Sequence, residues 1–214
     1  MLLAESLAYS SLQHSEQFTA WLSGRESGQP GSEDEVLLVK RQGSRLDLTL
    51  NRPDKHNAYS GQVRDELTSA LQLALTDNSI TEVTLQGRGP SFCSGGDLNE
   101  FGEAQDAGSA HLVRMTRSVA RLMYGLRDRL VCHVHGACIG AGIELPAFCG
   151  RIVAEPSAYF ALPEVALGLV PGAGGSVSIV RRIGRHRFNQ LALSGQKLDA
   201  ETALGWGLID EIIR

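Results

Sequence analysis

The sequence predicts an α/β fold, because three kinds of pattern follow one another along the chain. Leu46, Leu48 and Leu50 alternate with polar residues, which is typical of a strand with one buried face. Within 63–75 the apolar residues recur every three or four positions, which indicates an amphipathic helix. Short apolar segments such as 130–135 end in glycine-rich turns that open further helices. Strands and helices that alternate in this way form βαβ units, whose crossovers are right-handed.

The first 35 residues differ in character from the rest. Apolar residues in 1–24 fall at helical spacing, which predicts one or two amphipathic helices. Residues 24–35 have no periodicity and many turn formers, so we expect a mobile linker there. The sequence therefore predicts two parts, an N-terminal helical extension with its linker at 1–35 and a core domain at 36–214.

The core begins with a predicted hairpin, whose strands cover 36–39 and 46–50 and whose turn is Gln42-Gly43-Ser44. Residues 51–58 form a loop by composition. The remaining predicted elements are, in order, the helix 63–75, a short strand at 83–85, a long helix over 110–126, the strand 130–135, short strands at 152–154 and 159–161, and helices at 175–183, 187–193 and 199–206.

Composition excludes several classes of partner. The 214 residues are 43% hydrophobic and 21% charged, which is enough for a proper core. The net charge is −4 and no basic block occurs, so we expect neither nucleic acid nor an anionic membrane as a partner. The six histidines are not clustered at metal-ligand spacing, so we expect no metal. Apolar or glycine-rich surroundings predict buried free thiols at Cys93, Cys132, Cys138 and Cys149.

The N-terminus lacks the basic start and the long apolar core of a secretory signal. No run approaches the roughly 20 apolar residues that a membrane span needs. We therefore expect a cytoplasmic protein.

A glycine-rich turn and two carboxylates dominate the segment 133–175. A strand ends in the turn at 140–142, which opens a helix with Glu144 in its first turn, and Glu164 follows twenty residues later. A helix N-terminus presents unpaired amide N–H groups, and glycines let a ligand approach them closely. Such a corner stabilises an oxygen anion, and carboxylates beside it move protons. The simpler alternatives are a helix cap for Glu144 and a solvated loop carboxylate for Glu164.

A second glycine-rich corner lies at 91–97, and with it the sequence resembles the crotonase, or enoyl-CoA hydratase/isomerase, family from about Val36 to Ile213. The motifs that carry the resemblance are Asn51-Arg-Pro with Asn57-Ala58, Phe92-Cys-Ser-Gly-Gly-Asp97, His135-Gly with Gly140-Ala-Gly-Ile-Glu144, Phe160 with Pro163-Glu164, Gly168-Leu-Val-Pro-Gly-Ala-Gly-Gly175, and Leu193-Ser-Gly195 with Ala203, Gly205 and Gly207-Leu208. The resemblance implies a spiral of ββα turns, acyl-CoA thioester substrates, and a homo-oligomer that is a trimer or a dimer of trimers.

The resemblance also implies a shortened C-terminus, because family members usually continue past the position of Ile213 with helices that cover the acyl pocket. We expect residues 1–24 to fold as helix and to pack over the core or a neighbouring subunit in their place. The alternative is a disordered tail.

Specific roles follow from the resemblance. It assigns catalysis to Glu144 and Glu164, and an oxyanion hole to the backbone N–H groups of Ser94 and Ala141. It implies contacts with substrate or CoA for Lys55, His56, Ala58, Gly95, Gly96, Asp97 and Gly140. The residues by themselves leave simpler alternatives open, which are tight turns at both glycine corners, a solvated loop at 51–58 and a helix cap for Asp97.

Two residues depart from the family pattern. Ala141 stands where glycine is usual; its backbone donor survives, but the methyl group narrows the pocket. Pro146 stands where a small helix former is usual, and it would distort the helix and shift Glu144 if that helix began earlier.

These assignments predict hydration of a 2-enoyl-CoA to a 3-hydroxyacyl-CoA. No redox cofactor or metal is expected, since the CoA thioester itself acidifies the α-carbon. Two alternatives stay open, a double-bond isomerase of the same fold and an acyl-CoA-binding or scaffold homologue that has lost catalysis. A dinucleotide-binding domain is disfavoured, because no Gly-x-Gly-x-x-Gly follows the first strand.

Overall fold

A computed structural model describes residues 1–24, 35–102 and 106–213. Most of the predicted linker at 24–35 lies outside these ranges.

Two sheets form the centre of the fold. The six-stranded sheet has the order β1-β2-β3-β4-β6-β9, in which β1 and β2 are antiparallel and every other pair is parallel. The three-stranded sheet has the order β5-β7-β8, with β5 parallel and β8 antiparallel to β7. The strands are β1 Leu37–Gln42, β2 Arg45–Leu50, β3 Glu82–Gly87, β4 Leu130–Val134, β5 Ala137–Ile139, β6 Arg151–Ala154, β7 Tyr159–Ala161, β8 Leu198–Asp199 and β9 Glu211–Ile212.

Helices connect the strands, and short 3₁₀ turns precede or follow several of them. The helices are α1 Leu2–Leu12, α2 Glu16–Ser23, α3 Gly61–Thr76, α4 Ala107–Thr116, α5 Val119–Gly125, α6 Ala141–Glu144, α7 Gly175–Ser194 and α8 Ala200–Trp206. The 3₁₀ turns are Pro53–Lys55, Leu98–Glu100, Arg127–Arg129, Pro146–Phe148 and Glu164–Leu167.

The predicted hairpin is confirmed. Strands β1 and β2 pair from Leu37 with Leu50 to Gln42 with Arg45, and Gly43 turns the chain at a φ of +61°. The leucines of β2 that were expected on the buried face lie in the core, so the period of two placed that face correctly. The four cysteines are free and buried, as predicted.

The single helix predicted over 110–126 is wrong, since α4 and α5 divide this segment. Arg117 leaves the helical region, with φ −112° and ψ 48°, and the Ser118 hydroxyl then accepts a hydrogen bond from the Arg121 N–H. Serine is a preferred N-cap, and this cap starts a new helix.

The predicted break between 183 and 187 is present inside α7. Gly184 has a φ of +76° and a ψ of 162°, which no helix accommodates, and the chain bends there.

Residues 1–24 form two helices that pack on the rest of the chain. Helix α1 contacts α4 and α7. Phe18 of α2 has no exposed surface, and its ring centroid lies 6.2 Å from that of Phe101. Tyr9 and Leu169 join Phe18 in a hydrophobic cluster separate from the main core. The helix that the apolar spacing predicted is therefore present, while the division of the chain at residues 35 and 36 stays a prediction.

Candidate active site

A cavity of about 970 Å³ lies between the N-terminal helices and the core. Residues of both predicted glycine corners line it, and so do Glu144 and Glu164. Helix α1 contributes Glu5 and Tyr9 to the opposite wall. The cavity thus brings together residues that lie far apart in the sequence.

The two glycine corners lie side by side because of a short parallel bridge between Cys93 and Cys138. The Cys93 N–H donates to the Ala137 carbonyl oxygen at 3.1 Å, and the Ile139 N–H donates to the Cys93 carbonyl oxygen at 3.0 Å. Glycine is required at 142, because a Cβ there would lie 2.2 Å from the Cys93 carbonyl oxygen. The contact between the two glycine corners supports an anion site that both corners form together.

Glu144 is the last residue of α6 and is only 2% exposed. Its Oε2 atom accepts hydrogen bonds from the N–H groups of Ala173 and Gly175, both at 2.8 Å, at the beginning of α7. Pro146 lies at the first position of the 3₁₀ turn that follows α6, where a missing N–H has little effect. The predicted distortion by Pro146 therefore does not remove Glu144 from the cavity, because α6 ends before the proline.

Glu164 is the first residue of the 3₁₀ turn Glu164–Leu167 and is 8% exposed. A Cβ at position 140 would lie 2.6 Å from the Glu164 Oε1 atom, and Gly140 has a φ of +50°. Only glycine lets this carboxyl group approach the N-terminus of α6 so closely. Within the part of the chain that the structure describes, the buried Oε2 atom of Glu164 has no hydrogen-bond partner. This leaves it available to a water molecule or a substrate.

Glu5 is a third buried carboxylate, and sequence analysis missed it. Its Oε1 atom accepts from the Gly174 N–H at 2.6 Å, and its Oε2 atom accepts from the Ser176 N–H at 2.9 Å and from the Ser176 hydroxyl. Glu5 and Glu144 thus accept hydrogen bonds from alternate N–H groups of the segment 173–176, at the beginning of α7, where the helix dipole favours negative charge. The only signal in the sequence is an acidic residue inside an apolar helix, which does not specify the partner.

Burial raises the pKa of Glu144 well above its ordinary range, and the negative charges of Glu164 and Glu5 raise it further. Burial also raises the pKa of Glu164 to about 7, and Glu5 again contributes. Two carboxyl groups that interact this closely titrate as a pair. The protonation of one carboxyl group therefore depends on the protonation of the other.

The predicted oxyanion donors differ in availability. The Ala141 N–H begins α6, and across the ranges 1–24, 35–102 and 106–213 it donates to no protein acceptor. The Ser94 N–H, by contrast, donates to the His56 carbonyl oxygen at 3.0 Å. Ala141 is thus the free donor, whereas Ser94 has to share or exchange its bond before it serves a ligand.

The loop predicted to bind CoA supports the second glycine corner. The His56 Nδ1 atom lies 3.0 Å from the Ser91 Oγ atom, and the Asn57 amide donates to the carbonyl oxygens of Arg88 and Ser91. His56 and Asn57 both have left-handed φ angles, near +50°. Lys55, His56 and Ala58 are not among the residues that line the cavity. Their contact with CoA stays a prediction.

Asp97 lines the cavity together with Gly95, Gly96 and Gly140. One carboxylate oxygen forms a buried ion pair with Arg52 at 2.9 Å, and the other accepts from the Asn99 N–H. Asp97 is therefore a helix cap, which is the simpler role that the sequence left open, and also the ion-pair partner of Arg52. Its contact with substrate or CoA stays a prediction.

The ranges 1–24, 35–102 and 106–213 contain no cluster of three His, Cys, Asp or Glu side chains suited to a metal ion. Over the same ranges, no helix combines the length and the apolar character required to cross a bilayer.

Known proteins resemble this chain in sequence and in fold. The family model for enoyl-CoA hydratase/isomerase matches residues 40–214. A 2,3-dehydroadipyl-CoA hydratase of Escherichia coli (strain K12) is 37% identical over 176 residues, which cover 82% of this chain and 68% of that protein. A 1,2-epoxyphenylacetyl-CoA isomerase of the same strain is 33% identical over 184 residues, which cover 84% and 70%. The crystal structure of an enoyl-CoA hydratase from Thermoplasma volcanium GSS1 matches with a TM-score of 0.75 at 28% identity and covers 83% of this chain and 71% of that one.

The fold and the two-carboxylate cavity define an enzyme of the crotonase type. The chain belongs to the enoyl-CoA hydratase/isomerase family, whose members act on acyl-CoA thioesters. The predicted family and fold class are confirmed.

Proposed function

We propose that the protein adds water to a 2-enoyl-CoA thioester and forms a 3-hydroxyacyl-CoA. The observation that carries the proposal is the pair of buried carboxyl groups, Glu144 and Glu164, on one cavity beside the N–H of Ala141, which donates to no acceptor among the described residues. Relatives with the names of hydratases, such as the dehydroadipyl-CoA enzyme, support this class of reaction.

The mechanism divides the work between backbone and side chains. The thioester oxygen accepts from the Ala141 N–H, and from Ser94 once its bond to His56 is shared, while negative charge develops on that oxygen. One such donor is worth about 3 kcal/mol in the transition state. Water attacks C3 and gives its proton to one glutamate, and the other glutamate protonates C2. The reaction needs one ionised and one protonated carboxyl group, and a buried pair with raised pKa values supplies both.

An assay with two substrates tests the proposal against its alternatives. Hydration consumes the conjugated double bond of a 2-enoyl-CoA, and the ultraviolet absorption of the conjugated thioester falls. A double-bond isomerase instead converts a 3-enoyl-CoA to the conjugated form, so the absorption rises. A homologue without catalysis binds acyl-CoA and changes neither substrate. We expect turnover of the 2-enoyl-CoA without an added cofactor, and either of the other results would contradict the hydratase.

The pH profile provides a second test. Glu164 has a pKa of about 7, so below that pH its carboxyl group is protonated and accepts no proton from water. We expect kcat/KM to rise as the pH increases through about 7.

Glu5→Gln removes a negative charge that raises both pKa values, so the rising limb should move to lower pH. Glu155→Gln, on an exposed residue, is the control. An unchanged limb in Glu5→Gln would show that Glu5 has no electrostatic effect on the pair.

The Ser94 side chain should matter little, because the predicted donor is its backbone N–H. Ser94→Ala keeps that donor. We therefore expect kcat/KM to stay within about twofold of the wild-type value, the range expected when a substitution removes no specific interaction. A loss larger than about 10-fold would mean that the hydroxyl itself contacts the substrate.

A cytoplasmic location remains a proposal, and so does assembly as a trimer or a dimer of trimers, which rests on the family resemblance. Light scattering measures the assembly directly, and a monomeric particle mass would contradict it.

A further inference from the structure

Three arginines line one wall of the cavity. Arg64 lies on α3, Arg114 lies on α4, and Arg117 follows α4. Arg64 and Arg117 both form ion pairs with the carboxylate of Asp65. Glu100 also lines this wall, and it accepts a hydrogen bond from the Gly61 N–H at 2.6 Å. Two of the three arginines therefore have a carboxylate partner, Asp65.

Arg114 differs from its two neighbours, because no carboxylate lies within ion-pair distance of it in the described part of the chain. Its Nη1 atom donates to the Ser10 hydroxyl at 2.8 Å, and its Nη2 atom donates to the Gln13 side-chain oxygen at 2.7 Å. Its guanidinium carbon lies 4.3 Å from the centre of the Tyr9 ring. All three of these partners are neutral and belong to α1 or directly follow it.

The environment of Arg114 is unfavourable for an unpaired cation. The side chain is half-buried, and burial lowers its pKa, as does the nearby charge of Arg64. The negative charge of Glu5 raises the pKa of Arg114, but both Glu5 oxygens already accept hydrogen bonds from Gly174 and Ser176. A partly desolvated arginine without a paired anion is expected to bind one from solution, since its planar fork fits carboxylates.

Arg114 also lies near the reacting groups. Tyr9 lies under its guanidinium group and packs on Gly172, where a Cβ would lie 2.4 Å from the tyrosine ring. The next residue, Ala173, donates its N–H to Glu144. The ring of Tyr9 and the backbone of Gly172 and Ala173 therefore lie between Arg114 and Glu144, the carboxyl group proposed to act on C2 or C3.

We propose that Arg114 binds a carboxylate at the far end of the acyl chain, so that the preferred substrate is an enoyl-CoA with an ω-carboxyl group. This inference rests on the proposed function for its orientation, because C3 of the acyl group lies at the glutamates in that reaction. The acyl tail beyond C3 then extends toward the arginine wall. The diphosphate of CoA is the other anion of the ligand, but the whole pantetheine arm separates it from the thioester, so it lies too far from Glu144 to reach Arg114.

Binding of saturated acyl-CoA esters tests the site without requiring catalysis. Hexanoyl-CoA and 5-carboxypentanoyl-CoA have acyl chains of six carbons and differ in the terminal carboxylate. We expect calorimetry to show that the wild type binds the carboxylated ester at least about 10-fold more tightly, the scale of a charge-assisted hydrogen bond in a desolvated site. Arg114→Gln should abolish this preference and change the affinity for hexanoyl-CoA by less than about threefold.

Two further variants complete the design. Arg121→Gln removes a positive charge from an exposed position on α5 and should keep the preference. Arg114→Lys keeps the charge and the support for α1 but loses the planar fork, so we expect a reduced preference for the carboxylated ester. This variant provides the test if Arg114→Gln does not fold.

Equal affinity of the wild type for both esters would overturn the proposal. An equal loss for both esters in Arg114→Gln would also overturn it, because Arg114 would then act as an anchor of α1 or as a contact to the CoA phosphates that both esters share. These ligands cannot be hydrated, so a protein that fails to hydrate 2-enoyl-CoA still gives a clear answer here. A protein that hydrates 2-enoyl-CoA without this preference refutes only the assignment of Arg114.

Discussion

Glu144→Gln and Glu164→Gln each lower kcat by at least about 100-fold, the usual scale for the loss of a general acid or base. Glutamine keeps the size and the hydrogen-bonding shape of the side chain, so the hydrogen bonds from Ala173 and Gly175 still have an acceptor at position 144. Only the proton transfer is lost. Acyl-CoA affinity should therefore change by less than about threefold, as for a group that acts mainly in the transition state.

Steady-state kinetics on a 2-enoyl-CoA, with calorimetry on a saturated ester, separates these two effects. Glu155→Gln, an exposed residue away from the cavity, is the matched control and should leave kcat unchanged. A wild-type rate in either active-site variant would refute the mechanism with two glutamates. A loss in Glu164→Gln alone, with activity on a 3-enoyl-CoA, would favour the isomerase, because one carboxylate suffices to move a proton between two carbons.

Phe18→Ala lowers the free energy of unfolding by about 3–5 kcal/mol, the usual cost of truncating a buried phenylalanine. Phe18 is fully buried and holds α2 against Phe101, in the same cluster as Tyr9 and Leu169. For a chain of this size each kcal/mol shifts Tm by about 2–4 °C, so a decrease on the order of 10 °C is expected. This is the largest stability effect we expect from any single side chain of the N-terminal helices.

Thermal unfolding followed by circular dichroism measures this effect. Leu7→Ala is the control, because Leu7 lies on α1 but is 49% exposed, and its removal should change Tm little. If Phe18→Ala unfolds at the wild-type temperature, residues 1–24 do not pack on the core in solution. In that case Glu5 and Arg114 would also lose the contacts with α7 and α1 described above.

Local sequence patterns predicted the elements that depend on local contacts. The alternation at Leu46, Leu48 and Leu50 identified β2 and its buried face, and the spacing within 63–75 identified α3. The family motifs identified Glu144 and Glu164, and the structure places both on one cavity. The prediction of one long helix over 110–126 was wrong for a local reason as well. The apolar spacing continues across Ser118, although the helical backbone is interrupted there.

The sequence by itself determined the class of the fold and the family, and it singled out Glu144 and Glu164 as candidates, because periodicity, turn chemistry and motif spacing are properties of neighbouring residues. Only the tertiary structure decided that Glu5 of α1 accepts a hydrogen bond at the beginning of α7, from the N–H of Gly174, which lies 169 residues away along the chain. It likewise decided that the Ser94 N–H is bonded to His56, and that Arg114 lines the cavity with no carboxylate partner among the described residues. Groups that are distant in sequence decide whether a donor is available, whether a charge is paired and how far burial shifts the pKa of a carboxyl group. No local sequence pattern specifies these distant groups.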